Sequence, residues 1–257
     1  MTSSIASAAA PRGARPSVLR DAVDLIKTVG AGLLIATLLQ TVVAQPFTIP
    51  SSSMEPGLVT GDYVVTSKFP YGWSRATLPF DPPLGAGRLF GREAERGDVM
   101  VFRLPRDRQQ VWVKRVIGLP GDRVRVSGGQ VFINERAVPR TTLGLTQDHD
   151  APERTVSLVR ERLPEGRAYA TYDGGWSPGD DTGPLIVPPG QYLVMGDNRD
   201  NSLDGRWPRE TGVGLLPAEN LVGRAEWVVA SWKPGAGLFK PWTWFQLQPD
   251  RFLLRVR

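Results

Sequence analysis

The chain has 257 residues, 31 Lys and Arg against 26 Asp and Glu for a formal charge of +5, and 41% apolar against 22% charged residues. That length holds one large domain or two small ones, and the composition excludes wholesale disorder and a protein that crosses a membrane many times. With no cysteine there are no disulfides, thiol nucleophiles or thiolate metal sites, and the single His149 excludes a pair of imidazole ligands.

Residues 1–21 open with Ser, Ala, Pro, Gly and Arg and offer little to bury, which predicts a disordered tail. Charge then vanishes from Thr28 to Met54, and Val29, Leu33, Leu34, Ile35, Leu38, Leu39, Val42 and Val43 are apolar on every side of a helical wheel. Residues 29–44 alone would span about 24 Å, short of a hydrocarbon layer of about 30 Å. Starting at residue 22 closes the gap, because Lys27 can snorkel with Asp24 one turn behind it. The stretch 22–45 is therefore read as a transmembrane anchor, with a cleaved signal peptide as the rival. Arg12, Arg15, Arg20 and Lys27 precede the apolar run and the next basic residue is Lys68. The positive-inside rule then predicts a single pass with a cytoplasmic N-terminus and residues 46–257 on the outer face of the plasma membrane.

The exported part is predicted to be mainly β, a coiled, barrel-like arrangement of antiparallel sheets. Gly and Pro make up about a fifth of the chain, above the usual figure of about 12%, as many turns between short strands require. Three Gly-Asp turns, at Gly61-Asp62, Gly97-Asp98 and Gly121-Asp122, each lead into a run such as Tyr63–Val65, Val99–Phe102 or Val124–Val126. Ser127-Gly128-Gly129 separates Val124–Val126 from Val131–Ile133 as a hairpin. Further strands are predicted at Trp112–Ile117, Ala168–Tyr172, Leu185–Val187, Tyr192–Met195 and Glu226–Ala230. No helical period of 12 residues follows the anchor. Residues 76–95 and 140–183 are read as insertions. The positive charge is too thinly spread for a nucleic-acid surface, so no nucleic-acid partner is expected.

Three segments could carry chemistry. Pro50-Ser51-Ser52-Ser53-Met54-Glu55-Pro56 is a serine cluster between prolines, ordinarily a turn; a serine becomes a nucleophile only when a base takes its proton. His149, among Gln147-Asp148-His149-Asp150, reads as a solvated loop imidazole, which makes a histidine triad improbable. Lysine can serve if burial lowers its pKa of about 10.4 by about three units, at a cost of about 4 kcal/mol. Lys114, in Val111–Ile117, meets this: strand alternation puts Trp112, Lys114 and Val116 on one face, although a solvated strand lysine shows the same pattern. Met195–Arg206 is dense in Asp, Asn and Gly but fails the order of a calcium loop, so no metal is expected.

Together these segments resemble the type I signal peptidases of bacteria, over most of the chain from the anchor to about Trp232. The resemblance rests on Pro50–Pro56, on Gly61–Val65, on Arg96–Val99 with Lys114–Asp122, and on Gly196–Ser202 with Asp204 and Arg206, in the family's order. It implies a membrane-anchored serine endopeptidase that removes signal peptides from exported preproteins after Ala-X-Ala-type sites. It implies Ser53 as nucleophile, Lys114 as general base, and the Ser53 backbone N–H with the Ser51 hydroxyl as oxyanion hole. Ser202 matches the residue that hydrogen-bonds the lysine, Asp204 and Arg206 a supporting ion pair, and Phe47, Ile49, Pro50, Met54, Leu58 and Val113 the lining of the small substrate pockets. No cofactor and no obligate protein partner are implied; the partners are the signal peptide and membrane lipid.

Two positions depart from the family pattern: Ser52 and Gly205 stand where the family often has Gly and Ser. Two rivals share parts of the pattern. A self-cleaving repressor-type Ser/Lys protease would carry a DNA-binding domain where this chain has its apolar run, and a membrane-tethered β module would bind without cleaving. The C-terminal Trp242, Trp244, Phe245, Phe252, Leu253 and Leu254 suit either a dip into lipid headgroups or a final strand.

Overall fold

The computed structural model describes residues 18–78, 81–83, 85 and 87–257. Most of the predicted N-terminal tail lies outside the described residues. The chain divides into two compact units, residues 1–39 and 40–257.

Helix α1 runs Val18–Val42, starting inside the predicted tail and stopping short of residue 45. Among the described residues, Leu19–Val42 is the one helix long and apolar enough to cross a membrane, and its side chains are exposed. Its polar groups are satisfied locally: Thr28 Oγ1 donates to the Asp24 carbonyl and Thr37 Oγ1 to that of Leu33, while Lys27 sits 3.7 Å from Asp24. The last turn ends where its carbonyls find other donors. The buried Lys68 ammonium donates to Thr41 O at 3.2 Å, and Trp73 Nε1 to Val42 O at 3.0 Å.

The second unit is mainly β. Its strands are β1 Ala44–Thr48, β2 Asp62–Ser67, β3 Val99–Leu104, β4 Asp107–Gly118, β5 Arg123–Ser127, β6 Gln130–Ile133, β7 Arg136–Ala137, β8 Arg140–Gln147, β9 Thr155–Arg162, β10 Ala168–Asp173, β11 Leu185–Ile186, β12 Gln191–Met195, β13 Leu216–Pro217, β14 Leu221–Ser231 and β15 Leu254–Arg255. The largest sheet has the order β1-β2-β14-β3-β4-β12-β13, with β15 on β14; β10-β9-β8 and β11-β5-β6-β7 form two smaller sheets, and the strand pairs are antiparallel. Register shifts in β14 and between Leu193 and Val194 bend the large sheet. Strand β3 is buried on both faces: Val99 and Val101 join one core cluster, Met100, Phe102 and Leu104 another.

The three Gly-Asp turns share one construction. Each glycine has positive φ, at 95°, 88° and 90° for Gly61, Gly97 and Gly121, where a side chain would be strained. Each aspartate carboxylate turns back to accept the N–H three residues earlier: Asp62 from Val59, Asp98 from Glu95 and Asp122 from Leu119. Each is also paired with an arginine, Arg251, Arg167 and Arg96 respectively. These turns start β2, β3 and β5 in fixed register, and β3 contributes Val101 to the wall of the site.

Residues 140–183 hold a three-stranded sheet of their own. Strand β8 is exposed along almost its whole length, so it lacks the period-two apolar signal, and β9 runs from Val156-Ser157-Leu158-Val159 straight into Arg160-Glu161-Arg162. Within the stretch read as the first insertion, Arg88 donates to the carbonyls of Tyr71, Gly72, Ala218 and Leu221. At the C-terminus Leu254–Arg255 pairs with β14, while Trp242 and Phe245 stay exposed.

Candidate active site

The serine cluster lies in the crossing from β1 to β2. Ile49 N donates to Asp62 O and Gly61 N to Ile49 O, which pins both ends of the crossing. Between them Ser52–Met54 forms a single 3-10 turn with Ser51 at its N-cap. Ser53 is the second residue of that turn, so its N–H has no carbonyl acceptor inside it and is available to a ligand. The turn is held from the 196–206 segment: Asn198 N donates to Ser53 O at 3.2 Å, and Asn201 Nδ2 to Ser52 Oγ at 2.8 Å. Ser51 Oγ is 3.4 Å from Ser53 Oγ, on the same side of the turn.

Lys114 reaches Ser53 from β4, opposite Met100 of β3. Its Nζ is 2.6 Å from Ser53 Oγ, its one hydrogen-bond partner among the described residues, and 5.5 Å from the Trp112 ring. The side chain is buried, and burial pushes the amine down to about 8, against the pull of the Asp204 and Asp197 carboxylates and with the help of Arg206. A neutral amine at this distance can take the serine proton, which an ammonium cannot.

Loop 196–206 supports both groups. Asp204 is fully buried; burial alone would raise its carboxyl, but Arg206 and the N–H groups of Gly196 and Arg206 hold it below the usual range. Its Oδ2 accepts from Gly196 N at 2.9 Å, and Arg206 Nε donates to Oδ1 at 2.9 Å. Arg206 also donates to the carbonyls of Arg199 and Gly179. The next strand residue, Arg115, makes a two-pronged pair with Asp197 at 2.7 and 2.6 Å and lies over the Tyr169 ring. Gly196 has no room for a side chain: a Cβ there would overlap Ser202 Oγ and stand 2.5 Å from Ser53 O.

Not every expected contact is formed. Ser202 Oγ is buried and has no hydrogen-bond partner, so the bond to Lys114 implied by the family pattern is absent here. Gly205 is also tight, since a Cβ would stand 2.7 Å from Leu193 Cδ1 and Val194 O. A cleft of about 560 Å³ opens over the dyad, and Phe47, Ile49, Pro50 and Val113 are among the residues that line it. Met54 and Leu58 do not. Both are 1% exposed and pack beneath the turn with Val64, Val99 and Val222. Val101, Val111, Trp112, Leu203 and Trp207 line the cleft instead; for Val111 the signal was its period-two spacing from Val113. Asn198 and Asn201 were legible as part of a motif but not as clamps on the serine turn.

His149 is 32% exposed in its loop, with one side of the ring turned away from solvent. The loop 148–154 between β8 and β9 brings it against Glu55, whose carboxyl is raised to about 8 by burial and by the neighbouring Asp150 and Asp148.

Residues 22–232 match the family described as signal peptidase, peptidase S26. The chain is 35% identical over 230 residues to signal peptidase I of Rickettsia typhi, spanning 82% of this chain and 85% of that protein. It is 34% identical to signal peptidase I of Rickettsia prowazekii over the same shares. Among solved structures, signal peptidase I from Enterococcus faecalis V583 aligns at 26% identity with a TM-score of 0.32, covering 52% of this chain and 97% of that one.

Proposed function

Because the chain belongs to the signal peptidase family, peptidase S26, and is thus a serine peptidase whose substrates are exported preproteins with signal peptides, we propose that it works through a Ser53/Lys114 dyad. The observation that carries this is the 2.6 Å separation of Ser53 Oγ and Lys114 Nζ, with the amine buried. Neutral Lys114 removes the Ser53 proton as Oγ attacks the scissile carbonyl, and the resulting ammonium returns a proton to the leaving amine. An acyl-enzyme on Ser53 remains, which water, activated by the same amine, hydrolyses. The oxyanion is received by the Ser53 N–H and the Ser51 hydroxyl; losing one such donor costs about 3 to 4 kcal/mol of barrier. The cleft beside the dyad, walled by Phe47, Ile49, Pro50 and Val113, would receive the residues before the scissile bond, small ones in the Ala-X-Ala pattern.

Helix α1 would anchor the enzyme once across the membrane, N-terminus inside and the β-rich unit outside. Ser53 follows Val42, the last helical residue, by a short tether. A preprotein whose own apolar segment lies in the same membrane then meets the dyad at high effective concentration.

The test is cleavage of a purified preprotein bearing an Ala-X-Ala site by wild type, Ser53→Ala and Lys114→Ala in detergent, with the new N-terminus sequenced. Cutting after the second Ala by wild type, with both variants folded and inert, supports the dyad. Equal cutting by all three sinks it.

A further inference from the structure

Among the described residues, one group of histidine and carboxylate side chains lies outside the machinery above: Glu55, His149 and Asp150. Loop 148–154 folds back on the turn that carries Ser53. His149 N donates to Glu55 Oε2 at 3.3 Å, and His149 Nδ1 lies 3.7 Å from Glu55 Oε1 and 3.1 Å from Asp150 Oδ1. The three ligand-type atoms all fall within 4.8 Å of one another. The Glu55 side chain is wholly buried, and its Oε1, the oxygen facing the imidazole, has no hydrogen-bond partner.

The neighbouring acids crowd Glu55, and Asp148 meets the Glu55 carboxyl as well as partners of its own. Asp148 Oδ1 accepts from the N–H groups of Asp150 and Ala151, and its Oδ2 accepts from Asn198 Nδ2. Thr60 Oγ1 donates to Asp150 Oδ2, which leaves Oδ1 turned to the imidazole. An orphaned oxygen of a buried carboxylate beside two more acids is costly unless a proton or a cation joins it. The spacing admits a cation. Four-coordinate zinc holds N and O ligands at about 2.0 to 2.1 Å, so ligand atoms on adjacent corners of a tetrahedron stand roughly 3.3 to 3.4 Å apart. The two separations from His149 Nδ1, 3.1 Å to Asp150, which is also hydrogen-bond distance, and 3.7 Å to Glu55, bracket that edge, and the third lies within 4.8 Å. One imidazole with two carboxylates is also a set that suits zinc better than magnesium or calcium, which take oxygen alone. His149 and Asp150 are 32% and 23% exposed, which gives the ion a way in and a corner for water.

We propose that Glu55, His149 and Asp150 form a zinc-type divalent cation site directly behind the serine turn. Glu55 follows Ser53 by two residues, and Asp148 of the same loop bonds Asn198, whose N–H holds Ser53 O. An ion there ties loop 148–150 to the turn that presents the nucleophile and makes both more rigid, without taking part in the proton transfer.

The test uses the full-length chain in detergent, carrying no His tag and stripped with chelator, titrated calorimetrically with Zn²⁺ beside His149→Ala and Asp150→Asn. The expected result is one Zn²⁺ per chain, affinity weakened at least tenfold in each variant, and a thermal midpoint raised by Zn²⁺ in wild type only. Both substitutions are at partly exposed positions, and unchanged midpoints without Zn²⁺ show that the variants fold. X-ray absorption of the loaded protein should report one nitrogen with oxygen neighbours. No binding up to millimolar Zn²⁺, or wild-type affinity in both variants, overturns the proposal and leaves a proton on Glu55 as the compensating group.

Discussion

Lys114 Nζ and Ser53 Oγ stand 2.6 Å apart although 61 residues separate them, because β4 carries the lysine to the crossing between β1 and β2. Burial lowers that amine to about 8, so near neutrality most of it is the inactive ammonium. The rate should therefore follow the neutral fraction. Below about pH 8, kcat/KM for an Ala-X-Ala preprotein should rise close to tenfold per pH unit, then level off above it. Initial rates from pH 6 to 10 check this, and a profile flat across pH 7 to 9 would remove lysine as the base.

The same burial makes Lys114 a source of instability. Its pKa falls from 10.5 to about 8 on folding, so between those values the unfolded chain binds more protons, and stability rises with pH through that window. Below pH 8 the full penalty is present, on the order of 3 kcal/mol by 1.36 kcal/mol per unit. Lys114→Met should abolish cleavage yet raise the thermal midpoint at pH 7 by several degrees, at about 2 to 4 °C per kcal/mol for a unit of this size. The gain should shrink toward pH 10.5. Melting followed by tryptophan fluorescence at pH 7 and pH 10 measures both arms, and a lower midpoint at pH 7 refutes the account.

What the sequence made legible was whatever a local pattern encodes. The Gly-Asp turns announced β2, β3 and β5 because a positive-φ glycine and a back-bonding aspartate are neighbours in the chain. Lys114 stood out because β4 alternates around it. Strand β8 was hidden by its exposure on both faces, which erases the alternation a half-buried strand shows. The inward packing of Met54 and Leu58, and the contact of His149 with Glu55 across 94 residues, depend on how the β1–β2 crossing and loop 148–154 meet, and no local spacing records that.

Ser202 offers a clean separation of catalysis from folding. Its Oγ is buried without a partner, so deleting it breaks no hydrogen bond and removes a desolvated hydroxyl. Ser202→Ala should keep or slightly raise the thermal midpoint. If the hydroxyl meets Lys114 once substrate is bound, kcat should fall at least tenfold with KM little changed. A lower midpoint with kcat intact would assign Ser202 to structure alone.

Gly196 should resist even the smallest side chain. A Cβ would press on Ser202 Cβ and the Ser53 carbonyl, neither of which can turn aside by rotating a side chain, so relief must come from moving the loop or the serine turn. Gly196→Ala is expected to cost about 1 to 3 kcal/mol of stability and to lower kcat/KM by a larger factor than that loss explains at temperatures where the variant is folded. Activity and melting measured on one preparation decide it, and an active, stable Gly196→Ala would show that the turn is not held as tightly as its contacts imply.

Asp204 tests the electrostatics around the base. Its carboxylate raises the Lys114 pKa while Arg206 lowers it, and the two charges are paired at 2.9 Å with both side chains almost wholly buried. Asp204→Asn removes the negative charge and leaves the arginine. The buried guanidinium then lacks its partner, which should cost about 3 kcal/mol. The Lys114 amine, facing an uncompensated cation, should lose its proton more readily, so the acid limb of the residual kcat/KM should move below 8. A pH profile of the variant, taken at a temperature where it is folded, shows the sign. An acid limb that moved upward would mean that Asp204 acts on Lys114 by holding Gly196 and the loop in place, its bond to Gly196 N, and not by its charge.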